Sequence, residues 1–196
     1  MNRRDLQFYK DNAAALQQRY GQVDAATLYA PLMEWLPAAP ARVLDIGAGT
    51  GRDALWLTQL GHTVTAVDPV PELRRAALPA EITWIEDALP GLPHVTGVFD
   101  LVTLSAVWHA LAPEACAPAM RRVSQLLAPS GKCVMSLRQA PDACVDAART
   151  SALAAAAGLE TAAIIGAAAQ QTCNRDAGVS FTWLVLKAPQ ASGPDA

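Results

Sequence analysis

Three glycines set between acids carry the first chemical signal in this chain. Gly47, Gly49 and Gly51 stand at alternate positions between Asp45 and Arg52, and another acid, Asp68, closes the next apolar run. Glycine tolerates backbone angles and close approaches that a Cβ forbids, so such a turn brings bare backbone against a ligand. An acid ahead of the turn suits a ligand carrying an amino group and suits a diphosphate badly. A carboxylate where Asp68 stands can accept hydrogen bonds from a ribose. Farther along, His109 and Arg138 each follow an apolar run closely. An imidazole with an ordinary pKa near ~6.5 can take a proton from a hydroxyl, thiol or amine. A guanidinium can clamp a carboxylate or phosphate in a bidentate pair. Both residues also have plainer readings. His109 would cap a helix or pack beneath Trp108, and Arg138 would make a surface ion pair with Asp142 or Asp146.

The elements that must position these groups follow from pattern. Residues 42–46 form a short apolar, β-branched run, as a buried strand should. The glycine turn follows, then a helical pattern over 52–60 that stops at Gly61. Further strands are expected over 63–68, 83–86, 99–105, 132–137, 160–165 and 180–187. Helices are expected over 3–20, 24–36 (with Asp24 as N-cap), 72–77, 113–127 and 143–157. Residues 128–131 read as a turn before the fifth strand, and the connection 166–178, with Asn174, Arg175 and Asp176, is too long for a tight hairpin. Open parallel sheets bind ligands outside the carboxyl ends of their strands. That rule places Ser105, Trp108, His109 and Arg138 on one rim, with Trp108 either stacking on a ligand or serving as plain wall.

The stretch Val43-Leu-Asp-Ile-Gly-Ala-Gly-Thr-Gly-Arg52 resembles motif I of the class I S-adenosylmethionine (SAM)-dependent methyltransferases. A dinucleotide fingerprint spaces its glycines as Gly-x-Gly-x-x-Gly instead. The resemblance implies that Asp45, Gly47, Ala48, Gly49, Gly51 and Arg52 wrap the methionine and ribose of SAM, while Asp68, followed by Pro69, binds both ribose hydroxyls. Asp87-Ala88, after the third strand, resembles the family position that contacts the adenine amino group; its plainer reading is a loop aspartate that starts a turn. Ser105-Ala-Val-Trp-His109 resembles motif IV, which implies that Ser105 contacts the cofactor beside its transferable methyl group, but lacks the Asn-Pro-Pro-Tyr pattern of enzymes acting on DNA or protein amides. Leu126-Leu-Ala-Pro-Ser-Gly131 resembles the family's leucine-leucine-x-proline-glycine-glycine turn, with serine for one glycine.

The implied fold class is α/β, a three-layer Rossmann-like sandwich on a seven-stranded sheet of order 3-2-1-4-5-7-6 with strand 7 antiparallel. The implied division is a helical cap over 1–40, a SAM-binding domain over 41–187 and a loose tail over 188–196. In the family such a cap often shapes the acceptor pocket, which makes Tyr9 and Tyr20 the acceptor candidates here; plain packing on the sheet's helices is the other reading. The implied activity is methyl transfer from SAM to a small-molecule acceptor, leaving S-adenosylhomocysteine. Two rival classes are a SAM-binding protein without transferase activity and an NAD-binding oxidoreductase. Whether O, N, S or C is methylated stays open.

Composition bounds the rest. A chain of 196 residues suits one domain with a substantial core. No apolar run reaches the ~20 residues a bilayer span needs, and Met1-Asn-Arg-Arg-Asp-Leu-Gln7 lacks a signal peptide's apolar core. A cytoplasmic protein is therefore expected. The net charge is −3, with 15 basic and 18 acidic residues mixed along the chain, so the basic stripe of a nucleic-acid binder is missing. Cys116, Cys133, Cys144 and Cys173, and likewise His62, His94 and His109, are scattered without metal-ligand spacing. Reduced thiols are expected and no metal site, and a metalloid substrate gains little support. Oligomeric state stays open.

Overall fold

Alternation of apolar side chains between two covered faces builds the centre of this molecule. In the computed structural model, which describes residues 3–75, 78–140 and 145–191, the sheet contains β1 (Arg42–Ile46), β2 (Thr63–Val67), β3 (Thr83–Ile85) and β4 (Phe99–Leu104). β5 (Leu127–Gln139), β6 (Glu160–Ala168) and β7 (Ser180–Lys187) complete it. The strand order is β3-β2-β1-β4-β5-β7-β6, as expected. β1 to β5 pair in parallel, and β7 lies antiparallel between β5 and β6.

Successive residues of a strand face opposite ways. Leu44, Ile46, Leu184 and Leu186 accordingly join one core layer with Trp108, Met120 and Met135. Val43, Trp183 and Val185 join the other, with Tyr29, Leu32 and Leu57. Helices cover both faces, so β1 shows no buried–exposed alternation and Val43 to Ile46 are all buried. The first layer lies under α5 (Pro113–Leu126) and α6 (Ala147–Ala156), the second under α3 (Ala25–Tyr29) and α4 (Arg52–Gln59). Asp146 caps α6 by accepting from the Ala148 amide at 2.8 Å. Residues 143–144, where that helix was expected to begin, lie outside the described residues. Among the described residues no helix is long and apolar enough to cross a membrane.

Four local expectations are corrected. The helix expected over 3–20 is two, α1 (Arg3–Asp11) and α2 (Ala13–Tyr20). They break at Asn12, whose side-chain amide donates to the Phe8 carbonyl at 2.8 Å and whose backbone (φ −108°, ψ 11°) leaves helical values. The helix expected over 24–36 is the short α3 followed by a 3-10 turn, Ala30–Trp35, because Pro31 has no amide to donate. A 3-10 turn, Pro71–Leu73, stands where a helix over 72–77 was expected; residues 76–77 lie outside the described residues. The turn expected over 128–131 is a bulge inside β5: Phe99 pairs with Leu127, and Leu101 pairs with Lys132.

That bulge is held by the end of the chain. Ser130 (φ 60°) donates its amide to the Pro189 carbonyl at 3.0 Å, and Ala188 donates to the Gly131 carbonyl at 2.8 Å. Ala188 is buried, so the segment expected to be loose from 188 onward is anchored in its first two residues. β6 also runs beyond the expected residue 165, and the connection to β7 contains a short helix, α7 (Thr172–Asp176).

Candidate active site

The glycine turn joins β1 to α4, and each glycine answers a different demand. Gly47 (φ +72°) donates to the Val67 carbonyl at 2.7 Å, and a Cβ there would lie 2.4 Å from Val107 Cγ2. Gly51 (φ +76°) is the N-cap of α4, and its Cβ would lie 2.5 Å from Leu78 Cδ1. Around Gly49 (φ +53°) a Cβ would meet nothing nearer than the Gly47 carbonyl at 4.0 Å. Gly49 thus opens on a cavity of about 480 Å³ that Gly47, Ala48, Thr50 and Arg52 also line. Gly51 does not line it. Expected to contact a cofactor, it stands off the cavity wall instead, where its left-handed backbone and Leu78 require a glycine for packing.

Asp68 ends β2 on the cavity wall. One carboxylate oxygen accepts from the Gly49 amide at 2.9 Å and the other from the Val70 amide at 2.8 Å. The acid therefore ties the glycine turn to the second strand and leaves lone pairs for a ligand. Burial raises its pKa, and the two amides hold it down. Pro69 lines the cavity beside it.

Asp45 is placed differently from what was expected. It is 1% exposed and does not line the cavity. Its side chain accepts from Thr103 Oγ1 at 2.7 Å, and its second oxygen finds no partner among the described residues. Burial foremost, then the nearby Asp53 carboxylate, pushes its pKa up to about 7. The physical reason is register: Asp45 pairs with Ala66 and Thr103 inside the sheet, short of its rim. Arg52 and Asp53, whose charges act on Asp45, line the cavity that Asp45 does not reach. They pair bidentately at 2.6 and 2.9 Å, and the buried Tyr29 hydroxyl donates to Asp53 at 3.3 Å. Asp53 lines the cavity and was not foreseen, because its pattern reads as the first turn of a helix.

Asp87 and Ala88 line the cavity next to Leu89. Both Asp87 oxygens serve its own loop, accepting from the Ala88 amide at 2.8 Å and the His94 amide at 2.9 Å. The side chain thus does the loop-forming work of its plainer reading while lining the cavity.

At the carboxyl ends of β4 and β5 the cavity widens. Ser105, His109, Ser136 and Arg138 line it. Ala106, with φ 57°, donates its amide to Ser136 Oγ at 2.7 Å, which links the two strand ends. Burial lowers the pKa of His109, and the Arg138 charge lowers it further. Trp108, by contrast, is 3% exposed and packs in the core beneath α5 rather than in the cavity. Its expected contact with an acceptor is corrected, since the 3-10 turn Trp108–Ala110 turns the apolar indole inward and His109 outward.

The roof is α1 and α2. Tyr9 and Tyr20, the acceptor candidates, line the cavity together with Phe8 and Arg19. α2 is fastened at both sides. Gln17 donates to the carbonyls of Glu72, Leu73 and Arg74 at 3.1 to 3.2 Å. Arg19 donates to Gln171 Oε1 at 3.3 Å and Asn174 Oδ1 at 3.2 Å, and Gln171 donates back to the Arg19 carbonyl at 2.9 Å. Gln170, Gln171, Asn174 and Phe181 complete the far wall. These four were missed; the only signal was the overlong, amide-bearing connection between the last two strands.

Comparison with known proteins agrees with this geometry. The profile of a family described as "Methyltransferase domain" matches residues 16–184. An uncharacterized methyltransferase of Mycobacterium tuberculosis is 39% identical over 104 residues, 51% of this chain and 41% of that protein. A ubiquinone biosynthesis O-methyltransferase of Xanthomonas oryzae pv. oryzae is 34% identical over 112 residues, 52% of this chain and 44% of that protein. The matched stretch thus spans less than half the length of these relatives. In fold, the chain is similar to the Burkholderia thailandensis 1,6-didemethyltoxoflavin-N1-methyltransferase, whose crystal structure holds 1,6-didemethyltoxoflavin and S-adenosylhomocysteine. The TM-score is 0.73 at 21% identity, covering 96% of this chain and 87% of that one. Since the family profile runs from α2 to β7 and so takes in every strand of the sheet and both halves of the cavity, this chain belongs to the methyltransferase-domain family.

Proposed function

We propose that the protein transfers a methyl group from SAM to a small-molecule acceptor. One observation carries the reading: a single cavity runs from the glycine turn and Asp68 to His109 and Arg138. The residues present fit the cofactor. Gly49 leaves a cradle that a Cβ would occupy, and Asp68 offers a buried carboxylate with lone pairs to spare. When bound, SAM supplies a methyl group on a sulfonium that an acceptor lone pair can displace in line.

The chain's own residues hold, align and exclude water. Gly47 to Gly49 give backbone for close approach, Asp68 takes the ribose hydroxyls, and Asp87 with Ala88 walls the adenine end. Arg52 and Asp53 form the floor. Ser105, at the end of β4, faces the cofactor, His109 follows it toward the acceptor, and Tyr9 and Tyr20 line the same cavity from the roof. Most of the rate such a site can supply is alignment in a dry space. His109, kept neutral by burial and by Arg138, is placed to take the proton of an acceptor hydroxyl, thiol or amine. The free thiols Cys116, Cys133 and Cys173 fit a reducing, cytoplasmic setting.

Thermal unfolding with SAM, S-adenosylhomocysteine or NADH tests the reading on wild type and Asp68→Ala. A ligand held only by the folded state raises the melting temperature by mass action. The expected result is a rise with SAM and S-adenosylhomocysteine that disappears in the variant. A rise with NADH alone, or none with any ligand, would overturn it.

A further inference from the structure

The two edges of the sheet are finished differently. β3, at one edge, is three residues long, with Glu81 two positions before it and Glu86 and Asp87 directly after it. Short edge strands and flanking charges keep a sheet from pairing with another chain. β6, at the other edge, is nine residues long, and after Glu160 it carries neither charge nor proline. It pairs with β7 on one side and, among the described residues, with no strand on the other. Its bulge at Ala162 leaves Ala163 to Ala168 in unbroken register. That run presents a regular row of backbone donors and acceptors at an open edge.

Side chains along this edge complement themselves. Ile164 and Gly166 lie on one face of the strand. Ile164 is 56% exposed, and a Cβ built at Gly166 would meet nothing within 4 Å. A two-fold axis through Ile165, normal to the sheet, sets each Ile164 directly across from the other copy's Gly166, an apolar side chain over open space. The ends agree as well. Glu160 opens the strand and enters no ion pair among the described residues. Beyond the far end Arg175 donates to the carbonyls of Ala169 and Gln170 and to Thr172 Oγ1, and among the described residues it meets no carboxylate. The same axis brings Glu160 of each copy level with residues 169–170 of the other, and so beside Arg175.

We infer that the protein forms a symmetric dimer by antiparallel pairing of β6 with β6 of a second copy, with Ile164 against Gly166 and Glu160 beside Arg175 across the interface. The two sheets become one continuous sheet. A two-fold contact of this kind uses the same patch on both copies and closes on itself. Charge selects the antiparallel arrangement, because parallel strands would set Glu160 beside Glu160 and Arg175 beside Arg175. One strand pair with its flanks falls near or below the ~1,000 Å² of a firm interface, so the dimer should dissociate on dilution. Neither cofactor nor acceptor enters this contact.

The test is sedimentation velocity on the full chain from dilute to concentrated solution. Wild type should pass from monomer to dimer as concentration rises, and stop there. Hydrogen exchange under the same conditions should show backbone amides of residues 163–168 slowing as the dimer forms. Ile164→Lys should weaken association about tenfold or more, as loss of one buried apolar side chain per copy warrants. Glu160→Arg, which faces Arg175 with a like charge, should weaken it as well. Leu60→Lys also puts a lysine in place of an exposed apolar residue, but at the end of α4, and should leave association unchanged. In dilute solution, where every form is a monomer, all three variants should melt as wild type does. A wild type that stays monomeric at every concentration, or a dimer that Ile164→Lys leaves intact, would overturn the inference. So would growth past the dimer, or slowed exchange elsewhere while residues 163–168 stay unchanged.

Discussion

Asp45 lies inside β1 and Asp68 follows the neighbouring β2, and their surroundings give them opposite work. Asp68 meets two amides and the cavity, whereas the buried Asp45 meets one hydroxyl and the charge of a second carboxylate, Asp53. A carboxyl whose pKa rises from 3.8 to about 7 on folding binds a proton in the folded state that the unfolded chain has already released. Stability must then fall as pH rises through that interval and level off above it. Asp45→Asn removes this dependence while keeping an oxygen for Thr103. Denaturant titrations at pH 5 and pH 8 should therefore show the variant gaining on wild type as pH rises; parallel behaviour would mean that Asp45 stays charged throughout. His109 titrates on the other side of the argument. Its pKa is lowered, so it is already neutral at pH 7 and the rate should fall only below the ordinary imidazole range. For an acceptor that must lose a proton, His109→Ala should cost about 10²–10⁴-fold in kcat with unchanged affinity for S-adenosylhomocysteine. Wild-type kcat in that variant would remove His109 as the base and leave the cofactor reading intact.

Single elements separate what packing demands from what a ligand demands. The left-handed backbone at Gly49 and Gly51 costs an alanine about 1–2 kcal/mol at either position. Only at Gly51 does the new methyl meet protein, with Leu78 at 2.5 Å and Trp84 at 3.3 Å behind it. Gly51→Ala should therefore lower the denaturation midpoint more than Gly49→Ala. Calorimetry should reverse the order, with Gly49→Ala losing most of its affinity for S-adenosylhomocysteine and Gly51→Ala keeping it. Equal losses in both measurements would deny Gly49 a cradle role. This segment was legible because strand, turn and helix are written in consecutive residues with the periods each requires. The bulge at 128–131 was not, since Pro, Ser and Gly there have turn chemistry and the partners that hold them extended, Ala188 and Pro189, lie at the far end of the chain. Asn12 hid a helix break for a similar reason: the periodic face continues through it, and only its side-chain bond to Phe8 marks the interruption.

Across the whole molecule the same contrast divides the site in two. The part of the cavity wall between Ile46 and Ser105 comes from residues close in sequence; Asp45 and Gly51, named from the motif, do not line it, while Ile46, Thr50, Asp53, Val70, Leu73 and Leu89 line it without having been named. The acceptor side depends on meetings that no local pattern announces. Arg19 and Gln171 are 152 positions apart, and Trp108, an aromatic in a rim segment, turns inward because the apolar layer beneath α5 has room for an indole. Sheet order was readable because the family resemblance and the terminal strand pair agreed; which face of each loop met the ligand was not. The fastening of α2 by Gln17 on one side and Arg19 on the other bears on how the molecule comes into being. A growing chain can assemble β1, β2 and β4 and their glycine turn long before β6, α7 and β7 exist. The roof has nothing to grip on its second side until Asn174 has been made and β7 has slid between its neighbours. Closing that loop is a late, long-range step. A nascent chain halted before it would carry a cofactor cleft open to water and no enclosed place for an acceptor.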